Sequence, residues 1–212
     1  MKVLIINAHP DYNNPARTIN KLEKHSIEMI NKLAPEDEIE ELELYNPKNN
    51  IPEISAETLN HPEIVEPIQD KLINQWKRSD LILIMMPLHN FNVVTKLKDY
   101  IDNIFIAKKT FKYTAEGSVG LLDGHQKVAY IQSSGSDYEH DLKYVNADFA
   151  PNYIRTIMNF MGIIQMKLIR AQGMDLVGSN RSAIVEKAMQ EITHYLTDAL
   201  ARDEVPEGSV TK

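Results

Sequence analysis

The sequence predicts an α/β fold: a five-stranded parallel sheet with helices on both faces. Three observations predict it. Strand and helix signals alternate from one end of the 212-residue chain to the other. The strongest strand candidates are continuous apolar runs, as expected of strands covered on both faces. No internal repeat, low-complexity tract or second hydrophobic core interrupts the pattern. Residues 1–201 therefore read as one domain, long enough to bury a substantial core.

The elements follow in order. Val3-Leu4-Ile5-Ile6 is a buried-strand run. Across residues 16–34, Ile19, Leu22, Ile27, Ile30 and Leu33 recur at roughly helical spacing. Residues 38–44 alternate charged and apolar side chains and predict a strand near a sheet edge. A Pro- and Asn-rich stretch, 46–67, is long for such a connection and is expected to cover a site or a partner. A helix is predicted over 68–78. Leu81-Ile82-Leu83-Ile84-Met85-Met86, ended by Pro87, is the strongest buried strand. A helix over 95–105 follows, with Leu97, Tyr100, Ile101 and Ile104 on one side. Residues 107–124, with Gly117, Gly120 and Gly124, read as a long irregular excursion. A strand over 127–131, a helix over 153–161, a strand over 165–169 and an amphipathic helix over 183–200 complete the pattern. The polar stretch 202–212, with Pro206 and Gly208, is expected to be a frayed tail.

Composition excludes several function classes. There is no cysteine, which removes disulfides, thiolate nucleophiles, CxxC redox motifs and Cys-based zinc sites, and fits a cytoplasmic protein. A net charge of −7 without a Lys/Arg block argues against nucleic acid and anionic membranes as partners. The apolar runs are too short to cross a bilayer, and no signal peptide is read. Tyr138-Glu139-His140-Asp141 has metal-ligand residue types, but no second cluster stands at ligand spacing, so no metal site is assigned. His25, His61, His125 and His194 read as solvated.

In a doubly wound sheet, ligands bind outside the carboxyl ends of the strands, where strand order reverses. That rule selects three loops. The first runs from Asn7 through His9, Asn14, Ala16, Arg17 and Thr18 directly into a helix. Helix N-termini present free N–H groups and a positive dipole end, so a phosphate fits there. Asn14 is placed to cap the helix, Pro15 suits its first turn, and Arg17 and Thr18 add donors. Neither GxGxxG nor GxxxxGK[ST] occurs in it, which disfavours a dinucleotide fingerprint or a P-loop. A plain, well-capped loop is the competing reading. The second loop, Pro87-Leu88-His89-Asn90-Phe91-Asn92, sets amides and an aromatic ring at the end of the most buried strand. Such residues suit the polar edge and apolar face of a heterocycle. An Asn-rich turn is the alternative, but it accounts less well for Phe91 and His89. The third loop, Gln132-Ser133-Ser134-Gly135-Ser136-Asp137-Tyr138, lets backbone N–H groups approach a ligand.

At these loops the chain resembles the FMN-dependent NADH:azoreductase family, within the flavodoxin-like NAD(P)H:quinone reductases. Met86-Pro87-Leu88-His89-Asn90-Phe91-Asn92, followed by Thr95-Lys96-Leu97-Lys98-Asp99-Tyr100-Ile101-Asp102, is similar to the family's P-M-Y-N-F-x-[IV]-[PS]-x-x-L-K-x-[YW]-[IF]-D. Thr110-Phe111-Lys112-Tyr113-Thr114-Ala115-Glu116-Gly117 is similar to T-F-x-Y-T-x-x-G. Asn159-Phe160-Met161-Gly162-Ile163 resembles F-x-G-[FI]-x-G-[IF] without its first glycine. The resemblance implies a flavodoxin-like fold and a ping-pong oxidoreductase that passes two electrons from NADH or NADPH through FMN to a quinone or azo compound. It implies that Pro87, Leu88, His89, Asn90 and Phe91 line the isoalloxazine ring. Ser133, Gly135 and Ser136 then meet its pyrimidine side, with Tyr138 nearby. His9, Asn14, Ala16 and Arg17 hold the phosphate, and Tyr113 and Phe160 wall the pocket. It further implies a homodimer with the flavin pockets near the subunit interface.

The chain departs from the family in its phosphate loop, where Asn14-Pro15-Ala16-Arg17 stands in place of an S-x-S-x pattern. His9-Pro10 is similar to the A-H-P of the broader quinone-reductase group. His89 replaces the usual tyrosine, and Ser136 replaces a glycine. Hydride transfer needs no acid or base from the protein. His89 and Tyr138 are nonetheless candidates to give the acceptor a proton or a hydrogen bond, against plainer readings as a ring-edge wall and a loop aromatic. Two other functions stay open: an electron carrier, and a regulatory module that keeps the fold without turnover.

Overall fold

The computed structural model describes residues 1–201; the expected tail, 202–212, lies outside the described residues. In chain order the first elements are β1 (Lys2–Asn7), α1 (Thr18–Leu33), β2 (Glu38–Glu43), α2 (Ala56–Asn60), α3 (Glu66–Arg78), β3 (Leu81–Pro87) and α4 (Thr95–Ile104). Then come β4 (Phe111–Thr114), β5 (Gly117–Gly120), β6 (Lys127–Ser133), α5 (Leu142–Val145), α6 (Phe149–Met161), β7 (Met166–Ala171) and α7 (Arg181–Leu200). The main sheet is parallel and ordered β2-β1-β3-β6-β7, which puts the reversal of strand order between β1 and β3.

The sequence pattern explains this order. β1, β3 and β6 are almost wholly buried, so their apolar runs take the centre, where helices cover both faces. Alternate residues serve opposite layers. Leu4, Ile6, Ile82, Ile84, Val128 and Tyr130 face Leu72, Trp76, Leu97, Tyr100, Ile154 and Met158 of α3, α4 and α6. Val3, Ile5, Leu83, Met85, Ala129 and Ile131 face Ile19, Leu22, Ala188, Ile192 and Leu196 of α1 and α7. Each fully buried Leu or Ile contributes about 1.5–3 kcal/mol. A polar tie sits inside the first layer, where Trp76 Nε1 donates to Tyr100 Oη at 2.7 Å. The alternating stretch 38–44 becomes the edge strand β2, and Glu40 accepts from Gln75 and Arg78 of α3.

Three expectations are corrected. Residues 107–124 are not irregular: β4 and β5 form an antiparallel hairpin, with Phe111 opposite Gly120 and Thr114 opposite Gly117. Strands of four residues are too short to show a period. The hairpin docks on the end of α6, where a Cβ on Gly120 would lie 2.3 Å from the backbone N of Gly162. Gly162 itself has φ +107°, a left-handed turn that ends α6. Second, α6 begins at Phe149, before the expected start, because Pro151 lies in its first turn, where proline needs no partner for a missing N–H. Third, His25 is not simply solvated: its Nε2 lies 3.1 Å from Met189 O and 2.9 Å from Thr193 Oγ1, linking α1 to α7. The segment 46–67 lies along α4, held by Asn103 Nδ2 to Pro52 O at 2.8 Å and Lys96 Nζ to Ile51 O at 3.3 Å. Among the described residues, no helix is long and apolar enough to cross a membrane.

Candidate functional site

The parallel sheet delivers the loops after β1, β3 and β6 to one edge, at the reversal of strand order. The first loop is anchored from below. Asn7, fully buried at the end of β1, donates through Nδ2 to Asn20 Oδ1 at 3.1 Å and to Glu23 Oε2 at 2.6 Å. Its Oδ1 accepts from the His9 N–H at 2.8 Å. Asn20 Nδ2 in turn donates to the carbonyls of Asp11 and Asn14 at 2.9 and 2.8 Å. Glu23 reaches into this knot with its Oε1 buried and without a hydrogen-bond partner. Burial, followed by the charges of Glu41 and Glu43, pushes its carboxyl up to about 7 against the pull of Asn7.

Asn14 does not cap α1. The cap position is Arg17, with no side-chain cap bond and no acid in the first turn. Asn14 Oδ1 instead accepts from Ala16 N at 3.0 Å, because Pro15 turns the chain before the helix begins. The N–H groups of the first turn thus lack a side-chain acceptor, beside the Arg17 guanidinium. That donor set fits a phosphate. His9 accepts the Asp11 N–H at Nδ1, at 2.9 Å, so its neutral ring carries the proton on Nε2. Burial, then the charges of Arg17 and His89, lowers its pKa, with Asp11 opposing. His9 is therefore a neutral N–H donor near pH 7. The first and second loops leave the neighbouring parallel strands β1 and β3 at the same edge of the sheet.

The second loop is a tight turn. His89 and Asn92 exchange backbone bonds at 3.2 and 2.9 Å, while Asn90 and Phe91 both have positive φ, 46° and 69°. Two adjacent left-handed residues that are not glycine cost roughly 1–2 kcal/mol each. The turn is tied to the next strand by Leu88 N–H to Ser133 O at 2.8 Å. The Phe91 ring at this turn is 43% exposed.

The third loop is stitched to the chain after β7, a contribution the sequence reading missed. Gly173 N, Met174 N and Asp175 N donate to the carbonyls of Ser136, Ser134 and Gly135 at 3.1, 3.2 and 2.9 Å. Gly135 is pressed so close that a Cβ would lie 2.3 Å from Asp175 Oδ2. Gln172 Oε1 accepts from Tyr138 N at 3.1 Å. Sequence reasoning also missed Tyr144 on α5, whose ring lies 6.2 Å from Phe91 and 5.3 Å from Tyr138; Phe91 and Tyr138 are 6.3 Å apart, edge to face. Tyr138 is 7% exposed. Burial, then its neighbours Tyr144 and Asp148, raises its pKa, so it keeps its O–H at neutral pH. Gln132, buried beneath this loop, accepts from Tyr130 Oη at 2.9 Å, but its Nε2 has no partner. Nothing in a tyrosine by itself marks position 144, whereas Gln132 opens the third loop already selected from the sequence. His140 of the Glu-His-Asp stretch pairs with Asp137 at 3.0 Å.

Tyr113 and Phe160 do not join the loops within this chain. Helix α6 returns from the carboxyl edge of β6 to the amino edge of β7, which carries Phe160 to the far end of the sheet. There Phe105 lies 4.3 Å from Phe111 and 6.0 Å from Phe160, and Phe111 lies 5.5 Å from Tyr113. Tyr113 and Phe160 are 75% and 42% exposed. A cavity of about 950 Å³ also lies at that end, lined by Lys127, Arg155, Met166, Lys167 and Tyr195 among others. It offers no uncapped helix start, and the loops at the strand-order reversal remain the candidate site.

Comparison with known proteins agrees with this fold. The family model Flavodoxin_2, described as a flavodoxin-like fold, matches residues 1–196. An FMN-dependent NADH:quinone oxidoreductase 1 of Bacillus cereus is 36% identical over 205 residues, covering 90% of this chain and 94% of that protein. Its counterpart in Lactiplantibacillus plantarum is 35% identical over 204 residues, covering 90% and 95%. The crystal structure of an FMN-dependent NADH-azoreductase from Bacillus anthracis in complex with FMN is 33% identical, with a TM-score of 0.87 over 95% of this chain and 99% of that one. With a family match over residues 1–196 and relatives above 30% identity, the chain belongs to the Flavodoxin_2 family.

Proposed function

We propose that this protein is an FMN-dependent oxidoreductase that passes two electrons from NADH to a quinone or azo compound. The observation that carries this reading is the uncapped start of α1, with Arg17 at its cap position, facing the strained Asn90-Phe91 turn across the strand-order reversal. The names of the relatives, which specify FMN, NADH and a quinone or azo acceptor, point the same way. The site residues follow from the donor set. The first-turn N–H groups, Arg17, Asn14 and the neutral His9 hold a phosphate. Leu88, Asn90 and Phe91 flank a flat ring, and the amides of 133–136 meet its polar edge. Bound FMN supplies the two-electron chemistry. Phe91, Tyr138 and Tyr144 keep water from one side, and Tyr138, held protonated, can donate a hydrogen bond to an acceptor oxygen or nitrogen. His89, exposed at the turn, is placed to do the same from the other side.

We also propose a homodimer. Tyr113 and Phe160, exposed at the far end of one protomer, then wall the pocket of the other, which reconciles the resemblance with their distance from the loops in a single chain. Cytoplasmic residence, on the absence of cysteine, completes the proposal. The test is an absorbance spectrum of the purified protein, recorded before and after anaerobic addition of NADH, with NADPH alongside. Flavin bands that bleach and return on adding a quinone support the proposal. A protein that stays colourless after FMN is supplied refutes it and favours a regulatory module that keeps the fold.

A further inference from the structure

Asp11 is a charged side chain of the first loop with no task in the function just described. Its Oδ2 accepts from Asn14 Nδ2 at 2.8 Å and from Arg17 Nε at 2.8 Å. These are two of the three side-chain donors assigned to the phosphate, His9 being the third. No acid stands in the first turn of α1 itself. The hydrogen bonds from Arg17 and Asn14 hold the Asp11 carboxyl below the usual carboxylate range, so it is an anion at any working pH. Where relatives of the resembled family place two serine hydroxyls, this chain has Asn14-Pro15-Ala16-Arg17, and the donors that replace them already serve an internal carboxylate.

We propose, resting on the FMN reading above, that Asp11 is a specificity-determining residue of the phosphate subsite. Its carboxylate competes with the phosphate of FMN for Arg17 and Asn14, and so sets how far the site prefers FMN to riboflavin. Two features make the competition one-sided. Asp11 is covalently part of the loop and needs no recruitment from solution. The incoming phosphate is a dianion, so it must displace the carboxylate and also tolerate it as a fixed like charge nearby. Riboflavin has no phosphate and does not meet Asp11 at all. The ring and ribityl contacts are untouched by this charge, so the effect is confined to the difference between the two flavins.

Asp11→Asn isolates the charge, because the amide oxygen still accepts from Arg17 or Asn14. Flavin-stripped, full-length protein is titrated with FMN and with riboflavin, reading flavin fluorescence. Removing a like charge a few ångströms from a dianion tightens FMN binding on the order of tenfold, leaves riboflavin unchanged, and makes FMN affinity fall more steeply with salt. Asp11→Ser removes the same charge with a different side chain and carries the same expectation should Asp11→Asn fold poorly. FMN affinity that is unchanged or weaker in a folded, charge-free variant overturns the proposal and makes Asp11 a support for Arg17. If neither flavin binds the wild type or the variants, the FMN reading itself fails, an outcome distinct from the first.

Discussion

Glu23→Gln tests the buried knot beneath the first loop. Glu23 Oε2 accepts from Asn7 at 2.6 Å, whereas Oε1 is buried without a partner. The carboxyl is pushed up to about 7 from an ordinary 4.5. The folded state therefore holds a proton that the unfolded chain releases between those two values. With the folded pKa above the unfolded one, the stability is fully present below about 4.5 and is lost as pH rises through about 7. That gap corresponds to roughly 3 kcal/mol. Glutamine keeps an acceptor for Asn7 and cannot ionise. It leaves an amide N–H₂ where Oε1 stands, at a pH-independent cost of about 1–3 kcal/mol. The variant is thus expected to be less stable than wild type at pH 5, and to draw level or pass it by pH 8. Urea unfolding of both proteins at pH 5, 6, 7 and 8 reads this directly, as a change in the midpoint difference at constant slope. A difference that stays flat across that range would refute the reasoning and leave Glu23 ionised in the fold.

Three further outcomes follow. Asn90→Ala should weaken flavin binding and slow NADH oxidation, since it removes a ring-edge amide and leaves a left-handed alanine; Asn90→Gly, which relieves the backbone, should recover stability but not flavin affinity. Full flavin occupancy in both, read by absorbance, would move the ring away from this turn. Gly135→Ala should also weaken flavin binding, because its Cβ would strike Asp175 Oδ2, and Asp175→Ala in the same chain should restore it; a single variant with wild-type affinity would sink that account. Tyr100→Phe leaves the Trp76 N–H buried without its acceptor and should cost about 1–3 kcal/mol in denaturant with no change in flavin affinity; an unchanged midpoint would mean the indole finds another partner.

The central strands were legible because burial on both faces forces continuous apolar runs, and β1, β3 and β6 carry them. The amphipathic helices α1, α3 and α4 were legible for a related reason, since each turns one apolar stripe to a core layer. The hairpin at 111–120 was not, because short strands on an exposed arm bury too few side chains to leave a pattern. The three loops were located by topology alone, yet their inner connections were hidden. Asn14 carries a capping residue type but spends its side chain on Ala16 and Asp11, a choice made by Pro15. The stitching of Gly135 to Asp175 joins residues 40 apart in the sequence, and backbone bonds between loops leave no residue-type signature. Tyr144 was overlooked because a lone tyrosine on a four-residue helix reads as surface until its neighbours Phe91 and Tyr138 are in place.

The outer strand β2 has a consequence for how copies of this chain can meet. Glu38, Glu40, Glu41 and Glu43 occupy four of its six positions. Two copies approaching edge to edge about a twofold axis would bring carboxylate against carboxylate along the length of the strand. An exposed strand rim is ordinarily an invitation to add another strand; here electrostatics withdraws it. Growth into a continuous intermolecular sheet is discouraged on that side, so the symmetric pair proposed above is expected to close through other surfaces. Such a closed arrangement stops at two and cannot propagate into a fibre.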